Sequence, residues 1–289
     1  MNWQLLLIGY LVLGTASYLW RRQLAQTFAK ANRLVNAFFF VAVLYPIGLI
    51  VASFTSPNLS IGWASFFMLL IGSALFPFVN ILIYRANRDL DAGLFTILSD
   101  LIPVMSIAAG WLLLNEGLTG QQLVGAAIIL LAALLVTLPQ LKHHMRNNSR
   151  ALAYAIVAVV LLGLGFVYER YMLTRMGFGA YIVVGWGLQM VWAVLFALPE
   201  RKSYKILFDP KIRFKLWSYS LSSALRGLCI VGALYLSGNV SVVMASASFL
   251  TVLVVIAAYF ILKEKEWLWL KLGAATLGMI GLILINIGG

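Results

Sequence analysis

Apolar residues fill long runs of this chain, and short polar gaps separate them. Ten runs stand out, at 3–20, 34–53, 62–84, 92–114, 119–138, 151–169, 179–199, 214–236, 240–262 and 267–286. A helix needs about 20 apolar residues to cross a hydrocarbon core about 30 Å thick. Each run therefore predicts one membrane-spanning helix. The gaps carry turn formers, such as "TSPNLS" after the second run and "SGN" after the eighth. The fourth and fifth runs are parted only by "NEGL". Read as one helix they would far exceed a bilayer, so two helices are expected. The fold class is an all-α membrane protein with ten transmembrane helices.

Composition supports this reading. Of 289 residues, 63% are hydrophobic and 10% are charged. A soluble domain carries about 25% charged residues to face water. The surface here suits a lipid bilayer, and no nucleic-acid partner is expected despite a net charge of +12. The basic residues lie between apolar runs, where they set topology. With the N-terminus outside, the inner segments hold Arg21, Arg22, Lys30, Arg33, Arg85, Arg88, Lys142, Arg146 and Arg150. They also hold the loop from Arg201 to Lys215 and the basic residues Lys263, Lys265 and Lys271. The outer segments hold only Arg170 and Arg175. Both termini are therefore expected outside a bacterial-type cytoplasmic membrane. Trp3, Trp20, Trp63, Trp111, Trp217, Trp267 and Trp269 fall near run ends, as interfacial anchors do. The first run lacks the basic flank and cleavage site of a signal peptide, so its helix is expected to stay.

The two halves of the sequence resemble each other at a shift of 148 residues, which lays Glu116 on Glu264. "LNEGLTGQQLVGAA" at 114–127 then lies over "LKEKEWLWLKLGAA" at 262–275, and "WRRQL" at 20–24 over "YERYM" at 168–172. Five helices per half is an odd number, so the second copy enters the membrane inverted. Two repeats are expected, at 1–141 and 151–289, joined by an inner linker at 142–150. Inverted repeats are common in secondary transporters, with the substrate site near the midplane between the copies.

Two five-helix halves, each with a short acidic turn before its last helix, resemble the EamA-like members of the drug/metabolite transporter superfamily. The motifs are "NEGLTGQQLVGA" and "KEKEWLWLKLGA". The resemblance implies a ten-helix basket. Helices three, four, eight and nine, with one and six, would line its cavity. Helices five and ten would pack outside. Its members export amino acids, other metabolites and drugs. The chain departs from the pattern in lacking a basic residue before the first helix.

Charge inside a membrane helix is costly and marks function by default. Asp100 lies near the middle of the fourth run and Arg226 near the middle of the eighth. They are either a structural ion pair or a site that holds an anionic group at Arg226 and a cation or proton at Asp100. Polar residues three, four and seven apart share a helix face. Thr96, Ser99, Asp100, Pro103 and Ser106 form such a stripe, as do Tyr219, Ser222, Ser223, Arg226 and Cys229. Ser73, Pro77, Asn80 and Tyr84 form a third, and Ser241, Ala245, Ser248 and Thr251 a fourth. The expected substrate-binding set is Asp100, Arg226, Asn80, Ser99, Tyr84, Tyr219, Ser222 and Ser248. Pro46, Pro77 and Pro103 each deprive the carbonyl four residues back of its donor, those of Ala42, Ser73 and Ser99.

Glu169, beside Arg170, reads as a solvated charge at a helix end. Glu116 and Glu264 read as structural turn residues. His143 and His144 lack further metal ligands, and Cys229 lacks a partner. No metal, cofactor, catalytic residue or ATP-binding motif is expected. The expected function is secondary transport of a small amino acid-like or drug-like metabolite by alternating access. Export is the expected direction, coupled to protons or exchange, and a monomer suffices. The alternative is a membrane receptor or lipid-modifying protein without transport.

Overall fold

The computed structural model describes residues 2–27, 31–55, 57–89, 98–99, 101–144, 149–262 and 268–287. Among the described residues, ten principal helical segments follow one another. They are α1 (Trp3–Thr27), α2 (Asn32–Phe38, continued through Tyr45–Ser53), α3 (Trp63–Gly72 and Leu75–Asp89), α4 (Leu101–Leu114) and α5 (Gly120–His144). The second half holds α6 (Ser149–Met176), α7 (Phe178–Ala180, continued through Gly187–Ala197), α8 (Pro210–Ser237), α9 (Val240–Ala247 and Phe249–Leu262) and α10 (Leu268–Ile287). Among the described residues, six of these helices are long and apolar enough to cross a bilayer: α1, α2, α3, α6, α7 and α8. Shorter apolar helical stretches fall in α4, α5, α9 and α10. Large apolar side chains such as Leu5, Ile8, Ile50, Ile71, Leu112 and Ile283 stand exposed on the outside of the bundle. The molecule is a multi-pass membrane protein.

Several helices outrun their apolar segments. α1 continues to Thr27, α3 to Asp89 and α6 to Met176. A helix satisfies its own backbone hydrogen bonds, so it need not stop where the hydrocarbon ends. α5 reaches His144 and α6 starts at Ser149, so helix replaces much of the expected linker at 142–150.

Proline explains two of the irregularities. In α2 a wide π turn occupies Phe39–Leu44, directly before Pro46. Pro46 offers no N–H to the carbonyl of Ala42, and the widened turn absorbs the mismatch. α3 breaks at Ser73–Ala74, where Pro77 leaves the Ser73 carbonyl without its donor. A second π turn at Tyr181–Trp186 in α7 has no proline to explain it. A 3-10 segment, Leu198–Phe208, leads from α7 to α8.

Helices of the first half pack on helices of the second in antiparallel pairs. Gly9 of α1 faces Cys229 of α8, while Arg21 reaches Tyr219. Gly72 of α3 abuts Tyr168 of α6, while Arg85 covers the Tyr154 ring. Gly48 of α2 meets Trp186 and Ile182 of α7, while Arg33 reaches Glu200. Gly125 of α5 and Gly281 of α10 lie backbone to backbone, while Ala132 packs on Ala274. A Cβ on Gly125 would come within 2.7 Å of the Gly281 carbonyl oxygen, so this crossing requires glycine. Equivalent starts recur in the two halves: Trp3 and Ser149, Asn32 and Phe178, Trp63 and Pro210, Gly120 and Leu268.

Candidate functional site

A cavity of about 160 Å³ lies among helices of both halves. It is lined from α1, α2, α3, α4, α6, α7, α8 and α9, and by no described residue of α5 or α10. Helices two and seven thus join the six expected at the cavity, contributing Phe39, Phe40 and Leu44 on one side and Trp186 and Gln189 on the other. These residues sit in or beside the two π turns, which carry aromatic rings into the wall. Phe76 and Phe166 complete an aromatic edge, with ring centroids 6.4 Å apart.

Arg226 lines this cavity from the middle of α8. Its guanidinium lies over the Tyr10 ring, 5.7 Å from the centroid. Gly14 of α1 lets the Arg226 stem pass, since a Cβ there would sit 3.3 Å from its Cδ. Among the described residues, no carboxylate pairs with Arg226; Glu200 pairs with Arg33 and Glu116 with Arg170. Asp100, its expected partner, lies outside the described residues.

The other expected site residues divide. Asn80, Ser99 and Ser248 line the cavity. Ser248 sits at the turn within α9, where its Oγ donates to the Ala245 carbonyl at 2.6 Å. Tyr84, Tyr219 and Ser222 are not among the lining residues. Tyr84 and Tyr219 are buried together, their rings 6.3 Å apart. Ser222 Oγ donates to the carbonyls of Ser218 and Tyr219 on its own helix.

Two lining residues escaped the sequence reading. Arg21, counted there with the inner loop charges, is only 6% exposed and lines the cavity. Its Nε donates to the Tyr219 hydroxyl at 3.2 Å, and its guanidinium covers the Tyr18 and Tyr219 rings. Tyr219 thus acts on the site from behind, by orienting Arg21. Glu169 corrects the second expectation. It is not a solvated end charge: it is 3% exposed, lines the cavity, and accepts a hydrogen bond from the Tyr181 hydroxyl at 2.9 Å. Gln189 Nε2 donates in turn to that hydroxyl at 3.4 Å. α6 runs on past the expected end of its span at residue 169, so Glu169 sits two turns inside the helix.

Glu116 does the structural work expected of it, and does so across the halves. Its carboxylate accepts from the Val240 backbone N–H at 2.8 Å and pairs with Arg170 at 3.3 Å. Arg170 Nη2 donates to the Gly238 carbonyl at 2.8 Å, where the chain turns at φ 72°. Asn239 Nδ2 donates to the Gly117 carbonyl, and Ser241 Oγ to that of Glu116. The α4–α5 turn, the end of α6 and the α8–α9 turn are stitched together at one end of the bundle. Glu264 lies outside the described residues. Among the described residues, no group of three or more His, Cys, Asp or Glu is placed to hold a metal.

The family model for EamA-like transporters matches residues 2–138, which are α1 to α5 up to their last residues. Residues 2–138 belong to the EamA-like transporter family. That family lies within the drug/metabolite transporter superfamily. The EamA-like segment supplies Tyr10, Arg21, Asn80 and Ser99 to the cavity, and residues beyond it supply Glu169, Arg226 and Ser248. The crystal structure of another protein matches the whole fold with a TM-score of 0.70, covering 99% of this chain and 97% of its own, at 16% identity. No curated protein matches the chain.

Proposed function

We propose that the chain is a secondary transporter of a small metabolite, amino acid-like or drug-like, and that the cavity around Arg226 is its substrate site. The observation that carries this reading is a guanidinium at mid-helix depth on a cavity built from eight helices of both halves. Charge at that depth is expensive and persists where it serves a cavity or pathway. In this reading ten helices cross the bilayer as two inverted five-helix repeats. The antiparallel pairs α1–α8, α2–α7, α3–α6 and α5–α10 support that arrangement, as do the recurring helix starts.

The two halves rock about the cavity and expose it to each side in turn. Arg226, with Asn80, Ser99 and Ser248, holds the substrate. Asp100 supplies the opposite charge or carries a coupled proton. Export, both termini outside and a bacterial-type cytoplasmic membrane complete the reading, and a single copy suffices.

The test is flux in proteoliposomes, using compounds that raise the melting temperature of the purified protein. Arg226→Ala is expected to abolish flux while the ligand-free melting temperature stays within a few degrees of native. Native flux in Arg226→Ala would remove the proposed site. Recovery of flux in an Arg226→Ala, Asp100→Asn double variant would make the two residues a structural pair.

A further inference from the structure

Arg21 and Glu169 occupy the same position in the two sequence halves, since "WRRQL" lies over "YERYM". Each is nearly fully buried, each lines the cavity, and each is tied to a tyrosine hydroxyl. They carry opposite charge types and lie toward opposite ends. Arg21 sits at the level of Tyr219 and hence of Tyr84 on α3. Tyr168, next to Glu169, meets Gly72 on the same helix. Twelve residues at 1.5 Å each separate those levels by roughly 18 Å at most, since α3 breaks between them at Ser73–Ala74. Arg226 lies between, level with Gly14, two turns or roughly 10 Å from Arg21. That leaves roughly 8 Å of helix axis between Arg226 and Glu169. One small molecule can reach both: a hydrogen bond takes about 3 Å at each end.

We propose that Glu169 is the subsite for the cationic group of an amphoteric ligand whose anionic group rests on Arg226. The bond from Tyr181 fixes one carboxylate oxygen and turns the group toward the cavity. Among the described residues, the charged groups that share this space with Glu169 are Arg226 and Arg21. Arg170, the next residue in sequence, is engaged with Glu116 and Gly238. An ammonium therefore finds its favourable contact at Glu169, and a carboxylate finds its contacts at the arginines. The aromatic edge of Phe76 and Phe166 accommodates the apolar body between them.

The inference rests on the cavity being the substrate site, and its test separates the two. Purified full-length protein in nanodiscs is melted with shape-matched triads: L-leucine, isopentylamine and 4-methylpentanoate; L-phenylalanine, phenethylamine and 3-phenylpropanoate; L-lysine, pentane-1,5-diamine and 6-aminohexanoate. Amphoteric members are expected to stabilise the native protein most. Glu169→Gln, which keeps a group for Tyr181 to bond, is expected to weaken L-leucine or L-phenylalanine at least tenfold and to leave the simple acids unchanged. Arg226→Gln is expected to weaken the acids and spare the amines. Glu169→Asp keeps the charge and is expected to retain the preference for an ammonium group. If Glu169→Gln fails to fold, Tyr181→Phe serves: it leaves the carboxylate without its phenol and should bind the amines no more weakly than native. The proposal is overturned if Glu169→Gln binds every member as native does, if Tyr181→Phe loses the amines, if only the acids bind, or if no triad binds. Binding that depends on Glu169 without any flux removes transport and leaves the subsite. Flux that ignores Glu169 removes the subsite and leaves transport.

Discussion

Polar side chains that are buried or half-buried in this protein are of two kinds, and what they touch separates them. Glu116 touches backbone and Arg170, and holds turns together. Glu116→Ala removes both contacts, leaves the Val240 N–H without its acceptor and leaves Arg170 only the Gly238 carbonyl. A lost buried partner costs about 1–3 kcal/mol, so the melting temperature of the purified protein is expected to fall by several degrees. Glu116→Gln keeps an acceptor for Val240 and should fall less. Arg226 touches the Tyr10 ring and cavity space, so Arg226→Ala should spare stability and stop flux. The sequence made Arg226 legible because a charge deep in an apolar run admits few other readings. It hid Glu169 for the opposite reason. The apolar run ends there, and hydropathy cannot tell a helix that stops from one that continues to Met176. The alignment of Arg21 with Glu169 is the sequence signal that could have joined the two, and the sequence reading takes it only as a sign of the repeat.

At the scale of the helix, proline and glycine decide where a segment bends and how closely it packs. Pro46 and Pro77 are read from sequence as donors removed, and the π turn and the α3 break lie where those donors are missing. The π turn of α7 has no such sign and was not foreseeable. The close crossing of α5 and α10 was only half legible. The repeat pairs Gly125 with Gly273, yet Gly125 meets Gly281, and Gly273 faces open space. Alignment relates positions by descent, whereas contact follows from the antiparallel crossing. Gly281→Leu is accordingly expected to lower the melting temperature, since overpacking costs about 1–3 kcal/mol. Gly273→Leu should leave it unchanged. Thermal unfolding of the two variants side by side checks the pair.

Across the whole molecule, hydrophobic runs predict the number and order of the helices, because each must satisfy its own backbone in lipid. They do not predict which helices meet, and so helices two and seven were missed at the cavity. The face of the membrane that each loop occupies is an expectation from the basic residues alone. In a Cys229→Ser background, Asn58→Cys should react with an impermeant maleimide in whole cells, and Ser203→Cys only after lysis. Both positions are exposed. The reverse labelling would invert the orientation without touching the fold.

The stitching around Glu116 ties two turns and the end of α6 with five polar contacts. Arg170 bonds Glu116 through Nε and the Gly238 carbonyl through Nη2, so one guanidinium braces two of these segments. Separation of the halves at that end would break the four contacts that Glu116 and Gly117 make with Arg170, Asn239, Val240 and Ser241.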